Sequence, residues 1–241
     1  MNNIKYPNHL AIIVDGNGRW AQKQGMSRSM GHKHGFDRLE EIINYTSTKD
    51  IKVISLYVFS TENFKRSKDE VDYLMNLFKT KFKTMSNKLN KKDIKIVFSG
   101  REKPLDDDII KMIKDVTEKT KDNKGLIVNF CMNYGSHSEI TDTFKKIINK
   151  INNKELTIDE INDDIIKENL YQNLPEIDFL IRTSGEVRLS NFMLYQAAYA
   201  ELYFPEVAFP DFTKKEFDKA IDKYNNRDRR YGGINYENKN N

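Results

Sequence analysis

Leu10-Ala11-Ile12-Ile13-Val14-Asp15-Gly16-Asn17-Gly18-Arg19-Trp20 is the stretch whose reading decides the fold. Its first half is an unbroken apolar run with β-branched residues. Such a run predicts a strand covered on both faces, as in the parallel sheets of α/β proteins. The run stops at an acid, two glycines, an amide and a cation. That change falls where a parallel strand ends, at the carboxyl edge of the sheet, and open α/β sheets bind ligands at that edge. Asp15 can hold a metal or a proton, and Arg19 can grip an anion in a fork. Gly16 and Gly18 permit close backbone approach or a positive φ. A plainer reading of the same residues is a strand followed by an Asn-Gly turn with Asp15 as a cap, and this stretch alone leaves both open.

Outward from it, strand and helix patterns alternate. Apolar runs at 51–59, 94–98, 126–132, 178–181 and 202–204 predict five further strands. Helical spacing is carried by Phe36, Leu39, Ile42, Ile43 and Thr46, predicting a helix over 35–48. Ser67-Lys68-Asp69-Glu70 and Ser136-His137-Ser138-Glu139 read as capping boxes opening helices. Further helices are predicted from 104 or 105 to 120, over 191–198, and from a Thr213 cap to about 230. Thr157-Ile158-Asp159-Glu160 caps a short one in the polar stretch 152–174, which reads as a surface excursion. No linker or internal repeat interrupts the pattern. The prediction is one α/β domain over 1–241, with a central parallel six-stranded sheet flanked by helices and a polar tail over 231–241.

The chain has 241 residues, 38% hydrophobic and 32% charged, with a formal net charge of +4. That charge is too small to argue for nucleic acid, and basic residues are interspersed with acids along the helices. Cys131 is the single cysteine, so no intrachain disulfide forms; it sits in an apolar run and reads as a buried structural residue suited to a reducing cytosol. Residues 1–8 are polar and carry no signal-peptide pattern, and no apolar run is long enough to span a bilayer. The expectation is a cytoplasmic protein that meets any lipid substrate from solution or at the membrane surface.

The polar residues of interest collect after strands. Asp15, Asn17, Arg19, Trp20, Arg28 and His32 follow the first; Ser60, Thr61, Glu62, Asn63, Phe64 and Arg66 follow the second. Arg182, Glu186, Arg188, Leu189 and Ser190 follow the fifth, and Glu201 precedes the sixth. Arginines, hydroxyls and backbone amides with few acids suit a phosphate-rich ligand. Asp15 and Glu201 could hold Mg²⁺ against it, because Mg²⁺ takes one or two carboxylates plus substrate oxygens. Each residue also has a structural reading: surface arginines at Arg28 and Arg66, a packed His32, a core Trp20. Gly16 to Ala21 gives only G-x-G-x-x-A, and no acid ends the second strand, so a dinucleotide site is disfavoured.

Asp15-Gly16-Asn17-Gly18-Arg19-Trp20-Ala21 resembles the signature of the cis-prenyltransferases, the undecaprenyl diphosphate synthase family. So do Arg28-x-x-Gly31-His32-x-x-Gly35, Phe59-Ser60-Thr61-Glu62-Asn63-Phe64-x-Arg66, Arg182-Thr183-Ser184-Gly185-Glu186-x-Arg188-Leu189-Ser190-Asn191-Phe192 and Ala198-Tyr199-Ala200-Glu201-Leu202-Tyr203-Phe204. Arg230-Tyr231-Gly232 resembles the family's C-terminal R-x-G. The resemblance implies elongation of an allylic diphosphate, typically farnesyl diphosphate, by isopentenyl diphosphate with cis double bonds, and a long polyprenyl product serving as the undecaprenyl carrier for cell-wall synthesis. It implies Mg²⁺ held by Asp15 and Glu201. Gly16, Asn17, Gly18 and Arg19, with Arg28 and His32 nearby, would cradle the allylic diphosphate; Arg182, Arg188 and Ser190 would grip isopentenyl diphosphate. A mobile segment would comprise Ser60, Thr61, Glu62, Asn63, Phe64 and Arg66, with Asn63 in the usual proton-accepting position. A homodimer and transient membrane-surface contact for product release are also implied.

The product needs an apolar tunnel. A face of Val71, Leu74, Met75, Phe78, Phe82 and Met85 suits either its wall or ordinary core. Val14 and Phe64 depart from the family's usual methionine and tryptophan, and Asn133-Tyr134-Gly135-Ser136-His137 lacks its usual second glycine and arginine. Two other readings share the residues: a non-catalytic subunit of such an enzyme, and a nucleotide or phosphoester enzyme using the same arginines.

Overall fold

Burial on both faces dictates the sheet. The computed structural model describes residues 4–227. His9–Ile13 (β1) is buried at every position, as are Phe179–Arg182 (β5) and all but the first residue of Ile127–Tyr134 (β4). Val53–Ser60 (β2), Lys95–Ser99 (β3) and Glu201–Tyr203 (β6) complete six parallel strands in the order β3-β4-β2-β1-β5-β6. This is the α/β sheet expected from the apolar runs. β1, the opening stretch, lies between β2 and β5, and the strand order turns back beside it.

Seven helices are described: α1 (Asn17–Lys23), α2 (Arg28–Thr46), α3 (Lys68–Asn90), α4 (Asp107–Thr120), α5 (Ser136–Asn152), α6 (Asp163–Asn169) and α7 (Lys214–Asn225). Alternation along β1 sends Leu10 and Ile12 into a large apolar cluster with Leu39, Phe82 and Phe217 from α2, α3 and α7. Ala11 and Ile13 enter a smaller cluster on the other face, with Tyr57, Cys131, Phe192 and Met193. Cys131 is buried and free, as expected.

Several elements differ from the sequence reading. α2 begins at Arg28, seven residues before the expected start, because the Ser27 hydroxyl accepts from Met30 N and caps it there. α1 lies where only a turn was expected. Residues 191–198 form no regular helix: Asn191 and Met193 take φ of +64° and +43°, which breaks helical continuation. The Ser67 hydroxyl caps α3, but the Glu70 carboxylate turns to cations elsewhere and closes no box. α5 is capped by Gly135, one residue before the expected Ser136. The polar tail 231–241 and Arg230-Tyr231-Gly232 lie outside the described residues. No helix among the described residues is long and apolar enough to cross a membrane.

A buried polar row crosses the sheet on the smaller cluster's face. His9 Nε2 lies 2.8 Å from Ser55 Oγ, Asn129 Nδ2 donates to Ser55 Oγ at 3.0 Å, and Ser99 Oγ donates to Asn129 Oδ1 at 2.9 Å. His9 Nδ1 lies 2.7 Å from the Pro175 carbonyl. Burial lowers the His9 pKa from 6.5 to about 4, against the opposing pull of that carbonyl and of Asp178. Folded His9 therefore stays neutral where the unfolded histidine takes a proton, and acid favours the unfolded chain. The resulting loss begins as pH falls through 6.5 and is complete below about 4. Between pH 7 and pH 4 the native chain is expected to lose on the order of 3 kcal/mol more stability than His9→Asn. Urea denaturation across this range measures it, and equal losses would contradict the assignment.

Candidate active site

The turn after β1 is built around one acid. Asp15 N donates to the Ile13 carbonyl at 3.0 Å and to Thr183 Oγ1 at 3.1 Å, while the Asp15 carbonyl accepts from Phe209 N at 3.0 Å and from the Thr183 hydroxyl at 2.8 Å. The backbone is thus held from β5 and from the 209–211 turn. Gly16 follows with φ +98°, and a Cβ there would lie 2.7 Å from Ser184 Oγ, so the turn requires glycine. Asp15 Oδ1 accepts from Gly16 N at 2.6 Å, and Oδ2 accepts from Arg182 Nη2 at 2.8 Å. Burial alone would raise the Asp15 pKa, but the Arg182 hydrogen bond and charge, with Gly16 N and Arg19, hold it below the ordinary carboxylate value. Asp15 is ionised at neutral pH.

Arg182 ends β5 with its side chain 6% exposed. Nη1 donates to Ser190 Oγ at 2.6 Å and to the Arg188 carbonyl at 2.7 Å. Nε is buried and has no hydrogen-bond partner among the described residues. A buried guanidinium N–H without a partner is a costly group, and an anion would satisfy it.

Acids lie between the other arginines, more than the sequence reading expected. Glu186 pairs with both Arg19 and Arg188. Glu70 Oε1 lies 3.0 Å from Arg66, 3.5 Å from Arg28 and 3.4 Å from His32 Nε2. The His32 geometry makes no hydrogen bond. Burial first, then Arg66, lowers the His32 pKa, so the ring is neutral near pH 7.

α1 is set against α2 by two glycines. A Cβ at Gly31 would lie 2.0 Å from the Asn17 carbonyl oxygen, and one at Gly35 would lie 2.2 Å from Asn17 Oδ1. The helices approach until only glycine fits, which carries Asn17, Gly18 and Arg19 onto the same cavity as Arg28 and His32.

That cavity has a volume of about 570 Å³. Of the residues singled out in the sequence, Asp15, Gly16, Asn17, Gly18, Arg19, Arg28, His32, Ser60, Glu62, Asn63, Arg66, Arg182 and Ser190 line it. Others lie off its lining. Trp20 donates from Nε1 to Asp211 at 2.7 Å and stacks obliquely near His34. Phe64 packs edge-on to Phe59, Leu189 joins the smaller cluster, and Thr61 faces Gly135. Arg188 touches the site through its carbonyl and through Glu186. Tyr57, Leu74 and Asn191 line the cavity without having been singled out as diphosphate-site residues; Tyr57 was signalled only by its place near the carboxyl end of β2, Leu74 by the apolar face of α3, and Asn191 by its place in the late motif.

Glu201 is not brought to this cavity. It opens β6 in register with Phe179, which is level with Leu10 of β1. Asp15 lies five residues further along β1 and two strands away. At about 3.3 Å per residue this is roughly 16 Å along the strands. The Glu201 carboxylate lies 3.8 Å from Arg227 instead. No group of three or more His, Cys, Asp or Glu fit to hold a metal occurs among the described residues.

A second, apolar cavity of about 80 Å³ adjoins the first. Val14, Asn17, His32, Val58 and Leu74 line both. Beyond them it is walled by Phe36 and Leu39 of α2, Met75 and Phe78 of α3, and Phe130. Of the face considered above, Leu74, Met75 and Phe78 reach this cavity, while Phe82 and Met85 are wholly buried core. Because the Asn17 carbonyl beneath Gly31 is backbone, Gly31→Ala is expected to part α1 from α2. It should cost about 1–3 kcal/mol by urea denaturation and weaken pyrophosphate binding in calorimetry; unchanged values in both would contradict the glycine contact as the determinant of the cavity.

The comparisons with known proteins agree with this geometry. The family model described as "Putative undecaprenyl diphosphate synthase" matches residues 13–232. An isoprenyl transferase of Fusobacterium nucleatum is 43% identical over 228 residues, covering 95% of this chain and 96% of the relative. A ditrans,polycis-undecaprenyl-diphosphate synthase ((2E,6E)-farnesyl-diphosphate specific) of Legionella pneumophila is 42% identical over 233 residues, covering 96% and 98%. Among solved structures, lavandulyl diphosphate synthase from Lavandula x intermedia, in complex with dimethylallyl diphosphate, superposes with a TM-score of 0.90 at 32% identity, covering 94% of this chain and 98% of that one. With the motifs in order from β1 to β6 and the arginine-lined cavity they build, the chain is a transferase of the undecaprenyl diphosphate synthase (isoprenyl transferase) family.

Proposed function

We propose that this chain condenses isopentenyl diphosphate onto an allylic diphosphate, with farnesyl diphosphate as the starter, to make a long-chain cis-polyprenyl diphosphate that serves as the undecaprenyl carrier for cell-wall synthesis. The observation that carries this reading is the junction of the two cavities. An arginine-rich end suits a diphosphate, and an apolar end opens directly from it, between α2 and α3. A nucleotide would leave that apolar end unexplained.

In this reading Gly16 to Arg19, with Arg28 and His32, receive the allylic diphosphate. Arg182, Ser190 and Arg188 receive isopentenyl diphosphate, and the unpartnered Arg182 Nε finds its acceptor there. The allylic C–O bond breaks, the isopentenyl double bond attacks the freed carbon, and a proton leaves the new chain. Fixed guanidinium groups stabilise the departing diphosphate where its charge develops.

One ionised carboxylate beside a diphosphate fits Mg²⁺, which takes a carboxylate, substrate oxygens and water. Asp15 would hold it; the position of Glu201 keeps that residue out of the same proposal within one chain. Mg²⁺ when bound would neutralise diphosphate charge. Asn63 is better suited to shaping its segment than to taking the proton, because its Oδ1 already accepts from Ser60 N at 3.0 Å. Asp15, paired with Arg182 and held below the ordinary carboxylate pKa, is a weak base, the more so if it holds Mg²⁺. The departing diphosphate is therefore the proton acceptor we propose. The growing chain would enter the apolar cavity past Leu74 and lengthen towards Phe78, the start of a tunnel. A homodimer working in the cytoplasm, with transient contact to the membrane surface to release its lipid, completes the proposal.

Asp15→Asn preserves an acceptor for Arg182 and removes the charge. With farnesyl diphosphate, labelled isopentenyl diphosphate and Mg²⁺, the native chain is expected to incorporate label into extractable lipid. Asp15→Asn should lose about 10²–10³-fold in kcat while remaining folded, with a lowered melting temperature because the buried Arg182 charge loses its counter-charge. No incorporation by the native chain would contradict the reaction, as a non-catalytic subunit would behave; near-native turnover by the variant would contradict the role of Asp15.

A further inference from the structure

Three chain segments meet beside the cavity at a point the mechanism above does not use. They are the Thr61–Lys65 turn after β2, the turn into α5, and the loop after β5. Asn191 sits at their junction and uses its carbonyl and both side-chain polar atoms on other segments. Its carbonyl accepts from Ser136 N at 2.8 Å, and its Oδ1 accepts from His137 N at 2.9 Å. These are first-turn amides of a 17-residue helix, donors with no partner inside the helix. Its Nδ2 donates to Glu62 Oε1 at 3.0 Å. One side chain thus anchors on α5 and reaches across to the segment that also carries Asn63.

The neighbours make this contact tight and consequential. A Cβ at Gly135 would lie 2.6 Å from Asn191 Nδ2 and 2.9 Å from Thr61 Oγ1, so residues 61 and 191 close over a position with no room for a side chain. Immediately before Asn191, Ser190 accepts from Arg182 on its hydroxyl and from Tyr57 on its carbonyl. Ser190 and Asn191 both take positive φ, +47° and +64°. Asparagine tolerates that conformation better than most residues.

We propose that Asn191 is a positioning residue: it latches the Thr61–Lys65 turn, through Glu62, to the loop that presents Ser190 and Arg182, and so sets the isopentenyl diphosphate subsite. The latch itself stands on the geometry; its effect on that substrate rests on the function proposed above. A merely structural Asn191, needed only to cap α5 or to take positive φ, makes different demands. Asn191→Asp keeps the conformation and the acceptor for His137 N but loses the donor to Glu62. Asn191→Gly keeps the conformation and the backbone bond from Ser136 N but loses both side-chain bonds. Glu62→Gln with Asn191→Asp restores a donor–acceptor pair with the roles exchanged.

Hydrogen exchange across residues 60–66 in the ligand-free protein, read beside steady-state kinetics, tests this. Asn191→Asp and Asn191→Gly are expected to speed exchange there. Each should raise the KM for isopentenyl diphosphate about tenfold, the size of one hydrogen bond to a charged group, with a smaller change in the farnesyl diphosphate KM. Asn191→Asp should keep the native melting temperature. The double variant should recover both readouts relative to Asn191→Asp. Exchange and KM within twofold of native in both single variants, or a double variant no better than Asn191→Asp, would overturn the proposal. If the native chain transfers no isoprenyl unit, the proposed function fails, and the exchange data still decide the latch.

Discussion

The ion pair between Asp15 and Arg182 is the constraint on which the rest of the site depends. It joins the carboxyl ends of β1 and β5, neighbours at the centre of the sheet, at 2.8 Å. A guanidinium this deeply buried is tolerable only with its charge compensated and its donors used, and removing one partner would strand the other. Arg182 therefore fixes Asp15 on one side and, through Ser190 and the Arg188 carbonyl, organises the loop after β5 on the other. The Thr183 hydroxyl between them ties the two strand ends together a second time. The pair leaves Arg182 Nε buried and unspent among the described residues, so the site is nearly but not wholly satisfied by its own chain.

The same logic extends to the outer arginines. Glu186 compensates Arg19 and Arg188; Glu70 compensates Arg28 and Arg66. In the proposed function, a phosphate oxygen could take over the arginine donors each carboxylate now uses. These pairs are more exposed than Asp15–Arg182, and exposed pairs are worth little, so an incoming diphosphate can exchange with them at small cost. The central pair supplies rigidity and the peripheral pairs supply exchangeable charge. In the function proposed here, the apolar cavity between α2 and α3 would distinguish a prenyl diphosphate from any other phosphate ester.

Much of this was legible in the sequence because parallel strands buried on both faces read as plain apolar runs. Cavities in such sheets open at the carboxyl ends of strands, so the lining residues Asp15, Arg19, Ser60 and Arg182 announced themselves by position. What escaped the reading depends on contacts between distant segments. The early start of α2 rests on the Ser27 cap, and the close packing of α1 on α2 rests on glycines 31 and 35 fitting against Asn17, while glycine inside a helix reads as a breaker. The irregular path of 191–198 rests on positive φ at Asn191 and Met193, in residues whose local pattern is helical. Glu70 looked like half of a capping box because spacing cannot tell whether a carboxylate turns to its own backbone or to arginines from two other elements. Glu201 precedes its strand, which in a parallel sheet puts it at the amino end, away from the cavity at the carboxyl ends; it was singled out for its carboxylate and by the resemblance, not by its position.

A crystal structure of the protein with farnesyl diphosphate tests the account most directly, because one ligand probes both cavities at once. The account predicts the diphosphate on the Gly16–Arg19 turn with Arg28 engaged, Glu70 or Glu186 released from at least one arginine, and the prenyl tail running past Leu74 towards Phe78. A diphosphate bound away from Asp15 and Arg19, or a tail directed to solvent instead of between α2 and α3, would contradict it.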